Sequence, residues 1–461
     1  MTNTASFTHS DLLHILGAAA EHLPPTTWIT GVCTDSRTVQ PRNAFIALRG
    51  ERFDGHDHVA SALSAGAVVA IVEKSWVTTA DASLRNRLIA VPDTLHALGS
   101  FAWYHRRRFT IPVIAIAGAA GKTGTKDLTA HVLATAMTVL KTQANYNNRI
   151  GTPLTLLQLT PEHEAAVIEI GTNEPGEIET LCAMVQPTHG LITNIGKEHL
   201  EKLIDLDGVE QEETALFDYL RDHHGLAFIN ADDARLARYA ATLPRCITFA
   251  LDTDADIRPT VRFDAQLHPS LAIVQDEFTF NAPMLVQGLA AARNAVCAVA
   301  IAWSLQCTAD EIRLGLRTYH PGDVHGYARM TVQEAHGITI LNDCYNANPD
   351  SMMLALETLR LYPAERRIAV LGDMRELGLA ATAEHDAVLA RAITCAHFVI
   401  ALGPEFHRAL QRTPAQNTLA ANTHEECARL VREHASANTA VLIKGSRGLA
   451  MEHVVAALLT E

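Results

Sequence analysis

The sequence predicts an α/β protein in which parallel strands are joined by helices. Three observations predict it. Short apolar runs rich in Val and Ile alternate with helical patterns along most of the chain, the order expected of βαβ units. One run, Val113-Ile-Ala-Ile-Ala117, leads directly into Gly118-Ala-Ala-Gly121-Lys122-Thr123 and a helical pattern. Polar clusters follow several of the strands, where open α/β sheets place their ligands. The 461 residues suit about three domains of ~150 residues, each long enough for its own core.

In chain order, residues 9–22 read as a helix with Leu12, Leu13, Ile15 and Leu16 on its apolar side. Strand-like pieces at 30–33 and 44–48 follow, then a helix carrying Val59, Leu63 and Ala67, then the buried-type strand Val68-Val-Ala-Ile-Val72. Two polar loops, Thr34-Asp-Ser-Arg37 and Gly50-Glu-Arg-Phe-Asp-Gly-His56, lie between them. Asp35 and Asp54 suit either turn formers or the edge of a ligand site. A helix over 94–107 ends in His105-Arg-Arg-Arg108, read as a solvated last turn whose cations complement the helix dipole. Thr110-Ile-Pro112 reads as a domain junction.

The helix after the glycine-rich turn has Leu128, Ala130, Val132, Leu133 and Met137 on its apolar positions. Ala165-Ala-Val-Ile-Glu-Ile170 is a buried-type strand that carries one acid, Glu169. A carboxylate in an apolar run is costly unless paired or metal-bound. Leu191-Ile-Thr-Asn-Ile-Gly-Lys-Glu-His199 is another strand with a polar end. The acidic stretch 205–213 enters a helix, and its default reading is a face that complements the helix N-terminus. Shorter strand signals occupy 225–290, and an alanine-rich helix over 290–305 has Gly288 and Asn294 near its beginning. Tyr319-His-Pro-Gly-Asp323 is turn chemistry and marks a second junction near 315–328. Beyond it, 338–342, 368–371, 398–402 and 441–443 read as strands, with helices beginning near Pro349, Ala383, Glu405 and Glu425.

Composition excludes several classes. The formal net charge of −14 disfavours nonspecific binding to nucleic acid or to an anionic membrane surface. No apolar run reaches the ~18 residues that span a bilayer, and the first residues lack the charged and apolar regions of a secretory signal. The eight cysteines are scattered without a CxxC pair, so they are expected to be reduced and buried. The 23 histidines include no HExxH or Cys/His cluster.

The strongest chemical signal is the turn at 118–123. Strand, glycine-rich turn and helix make a phosphate cradle, in which backbone N–H groups and the helix N-terminus face the anion. Lys122 would reach the β/γ-phosphates, and the Thr123 hydroxyl would ligate Mg²⁺. The spacing departs from GxxxxGK[ST], because the position five before Gly121 is Ile116. An ordinary strand–turn–helix corner is the competing reading.

Taken together, the motifs resemble the Mur ligase family, ATP-dependent amide-forming enzymes of peptidoglycan precursor synthesis. Asp35-Ser-Arg37 with Phe53-Asp-Gly-His56 is similar to the family's nucleotide-sugar domain. Asn145-Tyr-Asn-Asn-Arg-Ile-Gly-Thr-Pro153, Pro175-Gly-Glu-Ile178 and Thr193-Asn-Ile-Gly-Lys-Glu-His-Leu200 are similar to its central domain. Tyr345-Asn-Ala-Asn-Pro-Asp350, Leu371-Gly-Asp-Met374 and Lys444-Gly-Ser-Arg447 look like the C-terminal domain of the D-alanyl-D-alanine-adding member. The resemblance implies an N-terminal domain for a UDP-muramoyl peptide (1–109), a central P-loop ATPase domain with a parallel-rich sheet (110–322) and a Rossmann-like C-terminal domain (323–461).

It also implies roles by position. The loop Gly118, Ala119, Ala120, Gly121, Lys122, Thr123 and Gly124 would bind ATP, with Asn294, Arg329 and Asp343 as further nucleotide contacts. Thr123, Glu169, His199 and Glu213 would hold Mg²⁺, and Lys122, Glu169, His199 and Glu213 would serve catalysis. Asp35, Ser36, Arg37, Asn147, Asn148, Thr172, Tyr345, Asn346 and Asn348 would face the substrates. Those substrates would be UDP-N-acetylmuramoyl-tripeptide and D-Ala-D-Ala, joined in the cytoplasm by a monomer, with no nucleic-acid partner and no membrane insertion. A ligase for another amine or depsipeptide, and a Mur-like binding subunit without activity, are the alternatives.

Two departures from the family pattern stand out. The family usually carries a carbamoylated lysine on the helix after the histidine, and Glu213 takes that position here, with Glu212 as the fallback. The His-Asn that tends to precede Asn294 is replaced by Ala290 and Ala291, which leaves Arg293 as a candidate to stack on adenine.

Overall fold

The computed structural model describes residues 2–50, 53–275, 278–320 and 329–460. The chain divides into two compact units. The first comprises 1–115, 137–171 and 177–189, and the second 116–136, 172–176 and 190–461.

In the first unit, strands Val32–Cys33, Ala44–Ile46, Val69–Glu73 and Leu88–Val91 form a parallel sheet in that order. Phe45, Val59, Leu63 and Val72 are among the residues of its core. A small antiparallel pair joins Ser6–Thr8 to Trp28–Thr30. The helix Thr94–Arg106 begins where the Asp93 carboxylate accepts the Leu95 and His96 N–H groups, which satisfies two donors that no carbonyl can reach.

A six-stranded sheet has the order Cys246–Phe249, Leu226–Asn230, His189–Ile192, Val113–Ala117, Ala165–Glu169, Val139–Lys141. The division between the units runs through it, Val113 to Ala115 falling in the first and Ile116 and Ala117 in the second. Every residue of Val113–Ala117 is buried, as expected of a strand covered on both faces.

The second unit contains a three-stranded antiparallel sheet, Thr260–Phe263, Pro269–Gln275 and Phe278–Pro283. It also contains a six-stranded sheet ordered Thr331–Ala335, Ile338–Asp343, Thr439–Lys444, Arg366–Gly372, Phe398–Leu402, Thr418–Ala421. Its contacts are parallel except for the first pair. Ile340, Val370, Ile400 and Val441 lie in its core. Among the described residues no helix is long and apolar enough to cross a membrane, and all eight cysteines are free, seven of them buried.

Several expectations are corrected. The first α-helix spans His9–Leu16 and stops at Gly17, whose φ of 60° breaks the helical path; a 3₁₀ turn, Gly17–Ala20, follows. Gly31, with φ of 85°, splits the 30–33 run between two sheets. The phosphate-loop helix ends at Leu133, so Met137 is outside it. The antiparallel edge strand Thr331–Ala335 and the opposite edge Thr418–Ala421 were not anticipated, because both are only partly buried and their apolar pattern is weak. The expected junction at 321–323, with the boundary at 322/323, lies outside the described residues.

The basic run after Phe101 is half buried, contrary to a solvated helix end. His105 and Arg106 are buried, and Arg106 donates to the carbonyls of Val185 (3.0 Å), Phe109 (2.6 Å) and Gln186 (3.1 Å). Only Arg107 and Arg108 face solvent, over Trp103 and Tyr104. The acidic stretch 205–213 is also not a solvent face throughout. Asp205 caps the helix Leu206–Asp222, while Glu210, Glu212 and Glu213 are buried.

These contacts set a measurable difference. Arg106→Met strips three carbonyls, that of Val185 buried and those of Phe109 and Gln186 partly buried, of a charged donor and is expected to destabilise by about 3 kcal/mol. Arg107→Ala should change stability by about 0.5 kcal/mol or less. Urea unfolding of both variants checks this; equal losses would contradict the burial of Arg106.

Candidate active site

The phosphate loop sits between the strand Val113–Ala117 and the helix Lys122–Leu133. Gly118 has φ of 108°, and a Cβ there would lie 2.7 Å from the Thr193 nitrogen, so only glycine lets the loop pass. Three of the expected phosphate donors are held by protein acceptors. Gly118 N–H donates to Glu213 Oε2 at 2.8 Å, Ala119 N–H to the Asn194 carbonyl at 3.0 Å, and Ala120 N–H to Asn194 Oδ1 at 2.9 Å. The first turn of the helix, with Lys122 and Thr123, is the anion-facing part that remains by this geometry.

Lys122 folds back over the loop. Its Nζ donates to the Gly118 carbonyl and lies 3.0 Å from Glu198 Oε2. Glu198 and Glu213 are both buried, and each has a buried Oε1 without a hydrogen-bond partner. Burial pushes the Glu213 carboxyl well above the usual carboxylate range, and the neighbouring Glu198 charge pushes it further, while Lys122 acts in the opposite sense. Two carboxyls and one ammonium leave a pocket that calls for a proton or a cation.

Residues from the C-terminal sheet reach the same loop. Arg329 Nη2 donates to Thr123 Oγ1 at 2.9 Å, and its guanidinium lies over the Tyr345 ring at 3.9 Å. Asn348 caps the helix Pro349–Leu361 by accepting from Ser351 N–H. Its Nδ2 donates to the Ala119 carbonyl at 3.2 Å. Asp343 accepts from Lys444 Nζ at 2.6 Å, and Lys444 also donates to the Asn346 carbonyl at 2.9 Å. Asn346 Oδ1 in turn accepts from Arg447 N–H at 3.2 Å. Asp350 accepts from Lys197 N–H at 2.8 Å, and Lys197 Nζ lies 2.7 Å from Glu384. Asn294 lies over the loop helix, accepting from Thr125 Oγ1 at 3.1 Å. A Cβ on Gly124 would come within 2.4 Å of Asn294 Nδ2.

His199 caps the short helix Leu200–Leu203 with φ of 49°. Its Nδ1 is 2.6 Å from Glu376 Oε2 and its Nε2 4.0 Å from Glu198 Oε2. Glu212 Oε2 accepts from Gly176 N–H at 2.7 Å. Thr172 donates to the Glu174 carbonyl at 2.9 Å.

Within the first unit, Glu169 ends its strand fully buried. Its Oε1 accepts from Asn147 Nδ2 at 2.8 Å, and its N–H donates to Thr142 Oγ1 at 3.0 Å. Asn148 Oδ1 accepts from Ile150 and Gly151 N–H groups at 3.0 and 2.9 Å, which starts the helix Gly151–Leu156. Asp35 caps the 3₁₀ turn Ser36–Thr38. Its bond to the Arg37 guanidinium at 2.7 Å lowers its carboxyl to about 2, and Arg37 itself is exposed. Asp54 likewise caps Gly55–His58, so both acids do act as turn formers.

Among the described residues no three His, Cys, Asp or Glu side chains form a ready metal site. Of the predicted set, Glu169 belongs to the first unit, and Thr123, His199 and Glu213 belong to the second. Glu198, Glu376, Asn194 and Asp350 were not singled out beforehand. Glu198 stands within the Lys-Glu-His run, and an acid at the polar end of an apolar strand is the available signal.

Three sequence profiles match the chain: "Mur ligase family, catalytic domain" over 28–106, "Mur ligase middle domain" over 116–302, and "Mur ligase, glutamate ligase domain" over 328–447. An Escherichia coli protein named UDP-N-acetylmuramoyl-tripeptide–D-alanyl-D-alanine ligase is 32% identical over 98% of each chain. The chain belongs to the Mur ligase family. A Treponema pallidum Mur ligase of the same name is 33% identical over 92% of each chain. The crystal structure of MurF from Acinetobacter baumannii superposes with a TM-score of 0.90 at 30% identity and covers 100% of both chains. The three-domain α/β architecture of the Mur ligases is thus the fold of this chain.

The geometry distinguishes two neighbouring acids: Glu213 accepts from Gly118 N–H of the phosphate loop, and Glu212 accepts from Gly176 N–H. A carboxyl whose native pKa lies above its unfolded value costs stability as pH rises above the ordinary carboxylate range. Glu213→Gln removes that cost, and its amide suits both Gly118 N–H and the Glu198 carboxylate. The variant is expected to melt higher than the parent at about pH 8, with a smaller gain at about pH 5. Ligand-free thermal melts check this, and a lower melting point at both values would refute the destabilising role.

Proposed function

We propose that this Mur ligase joins D-alanyl-D-alanine to UDP-N-acetylmuramoyl-tripeptide at the expense of ATP. The observation that carries the reading is the phosphate loop with Arg329 on Thr123 and Asn348 on Ala119. A nucleotide-binding turn is thereby framed by the segment whose motifs are most like the dipeptide-adding member. The names of the full-length relatives support it. The division 1–109, 110–322 and 323–461 is proposed with it, as are a cytoplasmic location and a monomeric state.

The γ-phosphoryl group of ATP would pass to the terminal carboxylate of the tripeptide, releasing ADP and giving an acyl phosphate. The amine of D-Ala-D-Ala would attack the acyl carbon and lose a proton, phosphate would leave, and an amide bond would form. The physical obstacle is that a carboxylate must approach a triphosphate. Lys122, Arg329 and the first turn of Lys122–Leu133 would offset that repulsion, and orientation would supply much of the remaining acceleration. Tyr345, Asn346 and Asn348 would position the acceptor, and Asp35, Ser36, Arg37, Asn147, Asn148 and Thr172 the UDP substrate. Asn294, Asp343 and the loop from Gly118 to Gly124 would hold the nucleotide.

Mg²⁺ suits the residues present. The buried Oε1 atoms of Glu198 and Glu213 have no hydrogen-bond partner, and the Thr123 hydroxyl lies at the start of the loop helix. Thr123, His199 and Glu213 would hold the ion, with Glu169 added by resemblance, and its charge would screen the approaching anions. Glu213 would supply directly a carboxylate that relatives make from lysine and CO₂.

Phosphate release from ATP in the presence of Mg²⁺ tests the function. Release is expected to require both UDP-muramoyl tripeptide and D-Ala-D-Ala, with a product of pentapeptide mass. Glu213→Ala should lower turnover by about 100-fold or more, and bicarbonate should not restore it. Release without the dipeptide acceptor, or none across a panel of amines, would defeat the reading. Near-parental turnover of Glu213→Ala would defeat the role of that carboxylate.

A further inference from the structure

We infer that Glu376 is a positioning residue for His199, reaching from the C-terminal sheet so that the histidine's side of the acidic pocket is complete only when that sheet is seated. Glu376 follows the strand Arg366–Gly372 and makes two bonds to the segment after residue 198. Its Oε2 lies 2.6 Å from His199 Nδ1, and its backbone carbonyl accepts the Glu201 N–H at 3.1 Å. Side chain and main chain therefore grip one short helix, Leu200–Leu203, at its first turn.

The bond determines the chemistry of the ring. A carboxylate only accepts, so Nδ1 is the donor in this bond, which leaves Nε2 as the nitrogen free to face a cation in the neutral ring. Nε2 is the nitrogen directed at the pocket, 4.0 Å from Glu198 Oε2. A carboxylate that fixes the tautomer and orientation of a histidine is a recurrent support for a metal-side imidazole.

The backbone at the contact is unusual on both sides. Glu376 has φ of 65° and His199 φ of 49°, a region that side-chain-bearing residues seldom occupy. Gly378, two residues on, has φ of 51°, and a Cβ there would lie 2.9 Å from the Glu201 Cα. Two loops in sparsely populated conformations thus meet at one carboxylate–imidazole bond. Glu376 is itself exposed on its outer side, so packing does not account for its position. The contact is one of several that tie the segment after His189–Ile192 to the elements around the C-terminal six-stranded sheet, with Lys197–Glu384 and Lys197–Asp350 beside it. It is the one that ends on a residue assigned to the metal side.

This inference rests on His199 facing a bound cation, and the experiment separates the two ideas. Mn²⁺ binding is measured by electron paramagnetic resonance with a non-hydrolysable ATP analogue, in the full chain and in its Glu376→Ala and Glu376→Gln variants. Glu376→Ala should weaken Mn²⁺ binding by about 10-fold or more. It should lower kcat while leaving KM for the UDP substrate within about twofold. Glu376→Gln keeps an acceptor oxygen and should stay within about threefold of the parent in Mn²⁺ affinity. ¹⁵N resonances of His199 should report the Nδ1–H tautomer in the parent and in Glu376→Gln, and a mixture in Glu376→Ala. Unchanged Mn²⁺ affinity and tautomer in a folded Glu376→Ala protein would overturn the inference alone. Absence of analogue-dependent Mn²⁺ binding in the parent would overturn the assignment of the cation site as well.

Discussion

Two buried carboxyls, Glu198 and Glu213, share one ammonium, Lys122, beneath a glycine-rich turn. Much of the second unit is arranged around that imbalance. Charges out of water are tolerated only with partners, and the available partners belong to the phosphate loop itself. Gly118 N–H and Lys122 Nζ both point inward to the pair. The loop is thus shaped from below by acids before any phosphate is considered. Glu213 arrives on one helix and Glu198 on the loop preceding another, so the arrangement depends on the sheet that brings them together.

A second layer is supplied from the far end of the chain. Arg329, Asn348 and Asp350 bond to Thr123, Ala119 and Lys197, across more than 150 positions of sequence in each case. Asn348 and Asp350 stand at the start of the helix Pro349–Leu361, beyond a strand end, and Arg329 just before the strand Thr331–Ala335. Each contact is modest by itself, because partly exposed polar pairs contribute little net stability. Their value is geometric: they place one arginine and one aromatic ring against the turn that would receive phosphate.

The fold was legible wherever burial was two-sided. Val113–Ala117 is apolar throughout and Thr439–Lys444 is apolar between its terminal Thr and Lys; the first is legible whole and the second over 441–443. The edges Thr331–Ala335 and Thr418–Ala421 escaped notice, because partly wet strands carry mixed sequence. The site divides similarly. Lys122, Thr123 and Glu213 could be read from local pattern and position. Glu376 could not, since its partner is distant in sequence and nothing local marks it; Asp350 closes a recognisable motif, but its bond to Lys197 N–H is not legible there. The misread segments are instructive. His105-Arg106 looked like a solvated helix end, but fixed carbonyls of Val185 and Gln186 wait for Arg106 some 80 positions later. Local charge pattern carries no information about such acceptors.

The fold-back of Lys122 has a thermodynamic consequence for whatever occupies the loop. A phosphate that engages this ammonium must take it from Glu198 and from the Gly118 carbonyl, so measured affinity is the difference between two contacts and not the strength of one. The protein carries an internal competitor for its own ligand. An anion that offers Lys122 less than these two contacts would not displace it, whereas one arriving with a counter-cation would replace both the lysine's partner and the pocket's missing positive charge. The resting contact of one side chain thus sets a threshold that any anion at this loop would have to exceed, upstream of any recognition of a base.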